Sequence, residues 1–297
     1  MDGTMKKLSV LILVLLILLM SSCSKNENSC EIVATTLPVY EFTTNITKDT
    51  PLSVGRLVTE NVSCLHDYTL QVSQMRMIEN AEVIILSGAG LEEFLEDALS
   101  SAHFTIDCST NTHIHEGGHP HEDHEEDHSH HHERDPHIWL SPENAAIMAT
   151  NICEGLIKNY PQYSDVFQSN LNDLLLELEK SQEYGVHQLS EIACRELITF
   201  HDGFAYFAES FDLEILKAIE EESGSEASAA EIIALIDLID AHRLPAVFTE
   251  KSGSDACAGI ICAETGVGVY TLDMAMAGDS YFDAMYHNID TIKEALS

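Results

Sequence analysis

At 297 residues the chain is long enough for about two domains, and its 45% hydrophobic content suits a globular fold with a sizeable core. A formal net charge of -36 excludes a protein that holds nucleic acid electrostatically and disfavours direct docking on anionic lipid. The same charge favours accumulation of cations near the surface.

The first stretch reads as an export signal. Lys6 and Lys7 precede a nearly unbroken apolar run from Leu8 to Met20. A bilayer span takes about 20 apolar residues, so this run is too short to cross and suits a secretory signal. It ends Met20-Ser21-Ser22-Cys23 and continues with the polar residues Ser24, Lys25, Asn26, Glu27 and Asn28. Small residues before a Cys, with a polar tether after it, resemble a bacterial lipoprotein signal. On that reading residues 1–22 are removed, Cys23 becomes the lipidated first residue, and residues 23–29 form the tether. An ordinary secretory signal followed by a chance Cys is the alternative. Seven further cysteines remain: Cys30, Cys64, Cys108, Cys153, Cys194, Cys257 and Cys262. They include no CxxC pair, which argues against a structural zinc ribbon. An odd number in an exported chain leaves at least one thiol free, and some are expected to be plain buried core residues.

Strands and helices alternate after the tether. Glu31–Thr35 reads as a strand, Leu37–Ile46 as a helix behind Pro38, and Leu52–Val58 as a second strand. Met75–Asn80 reads as a short helix, Val83–Leu86 as a buried strand, Leu91–Leu99 as a helix and His103–Asp107 as a fourth strand. This βα alternation predicts a parallel sheet covered on both faces. A helix is expected from Pro142 to about Lys158, with Pro at its first turn and Glu143 near its positive end. Pro161 to about Ile192 is the longest periodic segment, with Tyr163, Val166, Phe167, Leu171, Leu174, Leu175, Leu178, Leu189 and Ile192 near the helical repeat. A helix of roughly 30 residues spans on the order of 45 Å, so 161–194 is read as a rigid connector between two lobes. Gly185 weakens it by about 1 kcal/mol and is a place where it could break.

The second half repeats the alternation. Glu196–Phe200, Leu213–Ala218, Ala246–Thr249 and Val267–Leu272 read as strands. Phe204–Ser210, Ser225–His242, Ser254–Thr265 and Asp279–Leu296 read as helices, with Ile232, Ile233, Leu235, Ile236 and Ile239 of the second of these turned inward. The predicted class is therefore α/β: an N-terminal lobe over 30–160, the connector, and a C-terminal lobe over 195–297. A ligand cleft is expected between them, at the carboxyl ends of the strands.

One stretch stands apart from this alternation. From His113 to Glu133 the chain is almost all His, Glu, Asp and Gly, too polar to offset its chain entropy by burial, and it reads as a disordered loop. Its histidines, His113, His115, His119, His121, His124, His128, His130, His131 and His132, suit an auxiliary metal-collecting tract, since neutral imidazole ligates zinc, copper, nickel and iron. A solvated acidic loop is the plainer alternative. Asp135-Pro136-His137-Ile138-Trp139-Leu140-Ser141-Pro142 follows and carries the chain's single Trp.

Outside the tract, His66, His137 and His201 each fall where a strand gives way to a loop or helix. Asp279 lies at the start of the last helix. Taken singly, each His could be an ordinary hydrogen-bonding loop residue and Asp279 an N-cap. Taken together, three imidazoles and a carboxylate make a tetrahedral set suited to Zn²⁺. His103, His187, His242 and His287 lack comparable context and are read as surface residues. HExxH is absent and no Ser, His and acid set is readable, which argues against a secreted zinc hydrolase and against an enzyme.

The motifs His66-Asp67-Tyr68, Asp135-Pro136-His137-Ile138-Trp139-Leu140-Ser141-Pro142, Phe200-His201-Asp202, Phe248-Thr249-Glu250 and Gly278-Asp279-Ser280-Tyr281 make the chain similar to the metal-binding solute-binding lipoproteins of bacterial ABC importers for zinc and manganese. The similarity runs from about Cys30 to the C-terminus. Cys64-Leu65 departs from the usual approach to the first His. The resemblance implies a lipid-anchored, extracytoplasmic, monomeric receptor that passes Zn²⁺ to a membrane permease, with metal held by His66, His137, His201 and the Asp279 carboxylate or a water. A His-rich loop before the second ligand is a feature of the zinc members. A manganese receptor and a surface adhesion lipoprotein of the same fold are the alternatives. His201 in place of a carboxylate favours zinc over Mn²⁺, which sits at the weak end of the divalent affinity order.

Overall fold

The computed structural model describes residues 30–60, 65, 68–99, 104–115, 134–220, 228–251 and 256–297. The export signal, Cys23 and the tether lie outside the described residues, as do Cys64, His66, Asp67, His103 and the tract histidines from His119 to His132. No helix among the described residues is long and apolar enough to cross a membrane.

The N-terminal half runs β1 (Ile32–Ala34), α1 (Leu37–Thr47), β2 (Val54–Arg56), α2 (Val72–Asn80) and β3 (Val83–Leu86). A 3-10 turn over Glu93–Leu95, then α3 (Glu96–Leu99) and β4 (Phe104–Asp107), complete it. After the tract come α4 (Pro142–Asn159) and α5 (Ser164–Gln188), and then β5 (Glu196–His201), α6 (Ala205–Ser210), β6 (Glu214–Glu220), α7 (Ala229–His242), β7 (Ala246–Glu250), α8 (Ala256–Thr265), β8 (Gly268–Leu272) and α9 (Tyr281–Leu296). Each half folds its four strands into one parallel sheet, in the orders β2-β1-β3-β4 and β6-β5-β7-β8. The two sheets thus share one topology, and in both the order reverses direction beside the first strand. Such a reversal opens a crevice at the carboxyl ends of the strands.

Strand alternation builds the core. Ile32, Ala34, Val83 and Ile85 turn to one face and join a central cluster with α1, α4, α5 and α9. Val33 and Ile84 turn to the other face and pack under α2 and α3. In the second sheet Leu197, Ala246 and Phe248 enter the central cluster, while Ile198, Phe200 and Val247 pack under α7 and α8. The inner strands β1, β3, β5 and β7 are buried on both faces, which is why they read as nearly continuous apolar runs rather than alternating ones.

Several elements differ in detail from the sequence reading. The connector expected over about 30 residues is a 25-residue helix, about 37 Å long, preceded by a separate 3-10 turn over Pro161–Tyr163. Gly185 does not break it. A Cβ there would fall 2.2 Å from Phe211 Cε1, so the glycine lets α5 lie directly against that ring. Ile233 is not inward: it is 61% exposed, while Leu235 and Ile239, four residues apart on one face, are buried. The cap of α9 is Ser280, whose Oγ accepts the Asp283 N–H, and Asp279 stays one residue outside the helix. The six described cysteines, Cys30, Cys108, Cys153, Cys194, Cys257 and Cys262, are all free thiols, with Cys108 and Cys153 buried.

The two halves are sewn together near the crevice. Trp139, fully buried, donates from its indole Nε1 to the Met274 carbonyl at 2.8 Å, and the Tyr281 hydroxyl donates to the Trp139 carbonyl at 2.9 Å. Arg56 reaches the Gly278 carbonyl at 2.7 Å. Glu41 on α1 accepts from the Tyr281 N–H and the Ser280 hydroxyl.

Candidate metal centre

Two of the sequence-predicted histidines meet. His201 is the last residue of β5, still within the strand rather than beyond it. His137 precedes the 3-10 turn Ile138–Leu140, whose three residues are all buried and which leads through Ser141 into α4. The Ser141 hydroxyl caps that helix by accepting the Asn144 N–H, and Pro142 fits its first turn. Both histidines are nearly buried, their rings lie edge to face at 5.2 Å, and their Nε2 atoms stand 3.5 Å apart. Two nitrogens that far apart, each roughly 2.0–2.1 Å from one ion, would subtend about 117° at it, close to a tetrahedral angle.

The partners of His137 fix its orientation. Asp135 Oδ1 lies 2.8 Å from Nδ1 and also accepts the His137 backbone N–H at 3.0 Å. A carboxylate only accepts, so this bond places the ring proton on Nδ1 and leaves the Nε2 lone pair facing His201. Trp139 packs against the same ring edge to face at 5.4 Å. The Tyr206 hydroxyl donates to the Asp135 carbonyl at 2.8 Å. Burial raises that phenol well above its usual range, so it stays a donor.

The other sequence-predicted site residues fall as follows. His66 lies outside the described residues, between a fully buried Leu65 and Tyr68, whose hydroxyl donates to Glu60 at 2.6 Å. Asp279 is exposed, and among the described residues it does not gather with His137 and His201 into a group of donor atoms within 4.8 Å. His187, His242 and His287 are exposed, as read from sequence. Of the tract, His113 and His115 are described, and they converge with Glu209 on α6.

Sequence reasoning gave no role to Asp135, Gly203, Glu209 or Glu250. Asp135 was legible in principle, since it sits two residues before His137 with a rigid Pro between them. Gly203 holds the two rings at close quarters: a Cβ there would meet His201 Cδ2 at 2.9 Å and His137 Cε1 at 3.1 Å. Thr199 pairs with Phe248, so His201 and Glu250 end adjacent strands side by side, and both are buried. Glu209 is one of 50 acids in the chain, and no local pattern marks it out.

Comparison with known proteins bears on this geometry. The family model described as "Zinc-uptake complex component A periplasmic" matches residues 32–295. The zinc-binding lipoprotein AdcA of Streptococcus pneumoniae (strain ATCC BAA-255 / R6) is 27% identical over 308 residues, covering 98% of this chain but 61% of AdcA, so the chain spans about three fifths of that relative. A crystal structure of ZnuA superposes with a TM-score of 0.80 at 30% identity, over 91% of this chain and 100% of that one. FpvC of Pseudomonas aeruginosa in complex with Mn²⁺ superposes with a TM-score of 0.76 at 22% identity, over 90% of this chain and 98% of that one, a likeness of fold alone. Two parallel α/β lobes, a buried histidine pair in the crevice between them, and a family match over nearly the whole chain lead to one conclusion: the chain belongs to the zinc-uptake complex component A periplasmic family.

Proposed function

We propose that the protein is an extracytoplasmic zinc receptor of an ABC importer, which captures Zn²⁺ between its lobes and passes it to a membrane permease. The single observation that supports this most is the pair of Nε2 atoms, one from each lobe, 3.5 Å apart in a nearly buried site. His66 supplies the third nitrogen in this reading. Asp279 supplies the fourth donor from its exposed loop, moving inward when metal arrives, or a water takes its place. Three nitrogens and at most one carboxylate suit zinc better than manganese, whose sites favour oxygen. Because the fold is shared with a manganese-bound protein, the metal assignment rests on these donors and not on the fold. The ion is cargo here, and no catalytic step is assigned to it.

Titration of the purified protein with zinc and manganese tests this. One tight zinc equivalent is expected. His201→Ala should weaken it at least a hundredfold, whereas His242→Ala, an exposed residue paired with Glu196, should leave it unchanged. Displacement of that zinc by an equal concentration of Mn²⁺ would assign the site to manganese instead. Anchoring through Cys23 is part of the same proposal: a chain this acidic has little other attraction to a membrane. Fractionation of wild type against Cys23→Ala checks it, with wild type expected in the membrane fraction and the variant soluble or unprocessed.

A further inference from the structure

We propose that Met274 is a specificity-determining residue of the histidine-pair site. Its thioether end forms an apolar wall beside the two donor nitrogens and holds the bound ion to four ligands, which favours Zn²⁺ over ions that need more. This rests on the receptor function proposed above.

The wall is located by Gly203. The point where a Cβ of that residue would stand lies 2.5 Å from Met274 Cε, 2.9 Å from His201 Cδ2 and 3.1 Å from His137 Cε1. In an imidazole, Cδ2 and Cε1 are the two carbons bonded to Nε2. The methyl group therefore crowds the ring edges that flank the donor atoms, away from the Nδ1 side, where Asp135 meets His137. The glycine leaves a space and the methionine takes it. Met274 is 5% exposed, so this side of the pair is closed to solvent. The Trp139 ring, 5.4 Å from that of His137, is a second apolar face.

The backbone of Met274 is pinned. Its carbonyl accepts the Trp139 indole N–H at 2.8 Å. The Asp273 N–H donates to Asn288 Oδ1 at 2.7 Å, and Asn288 Nδ2 donates to the Asp273 carbonyl at 2.7 Å. The Asp273 carboxylate accepts the Ala275 N–H at 2.8 Å, and Ala275 is held in the left-handed region at φ 54°. The flexible thioether then fits itself to the space the rings leave.

The consequence is coordination number. Zinc is satisfied by four donors in a tetrahedron. Mn²⁺ and the hard divalent ions favour about six ligands, mostly oxygens, and draw some of them from water. A water in that place needs polar partners of its own, and a thioether offers only a weak acceptor. Among the described residues no carboxylate oxygen lies within 4.8 Å of both Nε2 atoms either. Donors and wall thus act together: the imidazoles admit several transition cations, and the wall disfavours those that expand their shell.

The test compares the full wild-type chain with Met274→Leu and Met274→Gln, two substitutions close to methionine in size. Leucine keeps the wall apolar, whereas glutamine puts a hydrogen-bonding amide in it. Competition titration gives the ratio of Zn²⁺ to Mn²⁺ affinity, with metal kept below one equivalent so that the tight site fills first. Met274→Gln should reduce that ratio at least about tenfold, and Met274→Leu should leave it within about threefold of wild type. Cobalt substitution supplies a signature that loosening of the fold alone would not move. Wild type and Met274→Leu should show the intense visible bands of four-coordinate Co²⁺, and Met274→Gln the weak bands of a more highly coordinated ion. An unchanged ratio or an unchanged spectrum in Met274→Gln overturns the proposal. So does a Met274→Leu protein altered as much as Met274→Gln, since the ion would then depend on the sulfur and not on the wall. Failure of the receptor reading is seen separately, as a tight zinc equivalent that survives His201→Ala.

Discussion

At the residue scale, the site depends on a side chain that is missing. Gly203 approaches the facing edges of His137 and His201, and the nearest atom to a Cβ there would be Met274 Cε at 2.5 Å. The methionine end can swing aside, but the two rings are packed against Trp139 and against each other. Gly203→Ala should therefore lower zinc affinity on the order of 10–100-fold, as loss of a ligand's supporting contacts does elsewhere. Competition titration measures this, and far-ultraviolet circular dichroism should show the fold unchanged. Unaltered affinity would mean that the rings have slack the structure does not display.

Glu92 makes a different residue-scale case, remote from the metal pair. It is buried, and accepts from the Thr35 hydroxyl at 2.6 Å, the Ser87 N–H at 2.7 Å and the Gly88 N–H at 3.0 Å. Burial outweighs these three donors and pushes its carboxyl up to about 7. The folded chain then holds a proton that the unfolded chain, near the ordinary 4.5, has released. Stability from this group is fully present below pH 4.5 and is lost as pH rises to about 7, on the order of 3 kcal/mol in all. Glu92→Gln cannot titrate. Urea unfolding at pH 5 and pH 7.5 should show wild type losing roughly 2.4 kcal/mol relative to the variant across that interval, most of the full effect. Parallel pH profiles would show that the three donors win.

At the element scale, α5 shows why some of the fold was legible in the sequence and some was not. Its apolar repeat predicted a long helix, and Phe167, Leu171, Leu174 and Leu178 form the buried face. The same reading treated Gly185 as a weakness, because the ring of Phe211 against it belongs to a residue far along the chain. Gly185→Ala gains about 1 kcal/mol of helix propensity, yet its Cβ would enter the Phe211 ring, which is itself held against Phe207 at 4.7 Å. Overpacking of this kind costs about 1–3 kcal/mol, so the net expectation is a loss, measured as a lower midpoint in urea. A gain would mean that Phe211 moves freely. The strands were readable for the complementary reason: Val83–Leu86 announces itself by composition alone, as a strand buried on both faces must. The site was half legible. His137 and His201 sit at element ends, which periodicity locates, whereas Tyr206 and Gly203 act across long sequence separations that no local pattern encodes. Asp279 read as a helix start, but Ser280 took the cap and left the carboxylate outside.

At the scale of the whole molecule, the lobes share one core. The central cluster contains Ile32, Val39, Phe42 and Trp139 from the first lobe, Leu171 from the connector, and Phe207, Phe248 and Tyr281 from the second. Among the described residues, only the outer faces of the sheets have clusters of their own. Neither half can lose its fold without exposing the inner face of the other, so the chain should unfold in one step despite its two sheets. The bonds of Trp139 to Met274 and of Tyr281 to Trp139 lie beside the histidine pair, so the proposed metal site and the seam between the lobes are one region. Zinc binding to the folded state alone then raises the stability of the entire molecule. With free zinc at a hundredfold its dissociation constant the gain is about 2.7 kcal/mol, enough to move the midpoint of a protein this size upward by several degrees. Differential scanning calorimetry should show one transition without zinc and one, displaced upward as a unit, with it. Two resolved transitions, only one of them sensitive to zinc, would show instead that the lobes fold independently and that the metal is held by one of them.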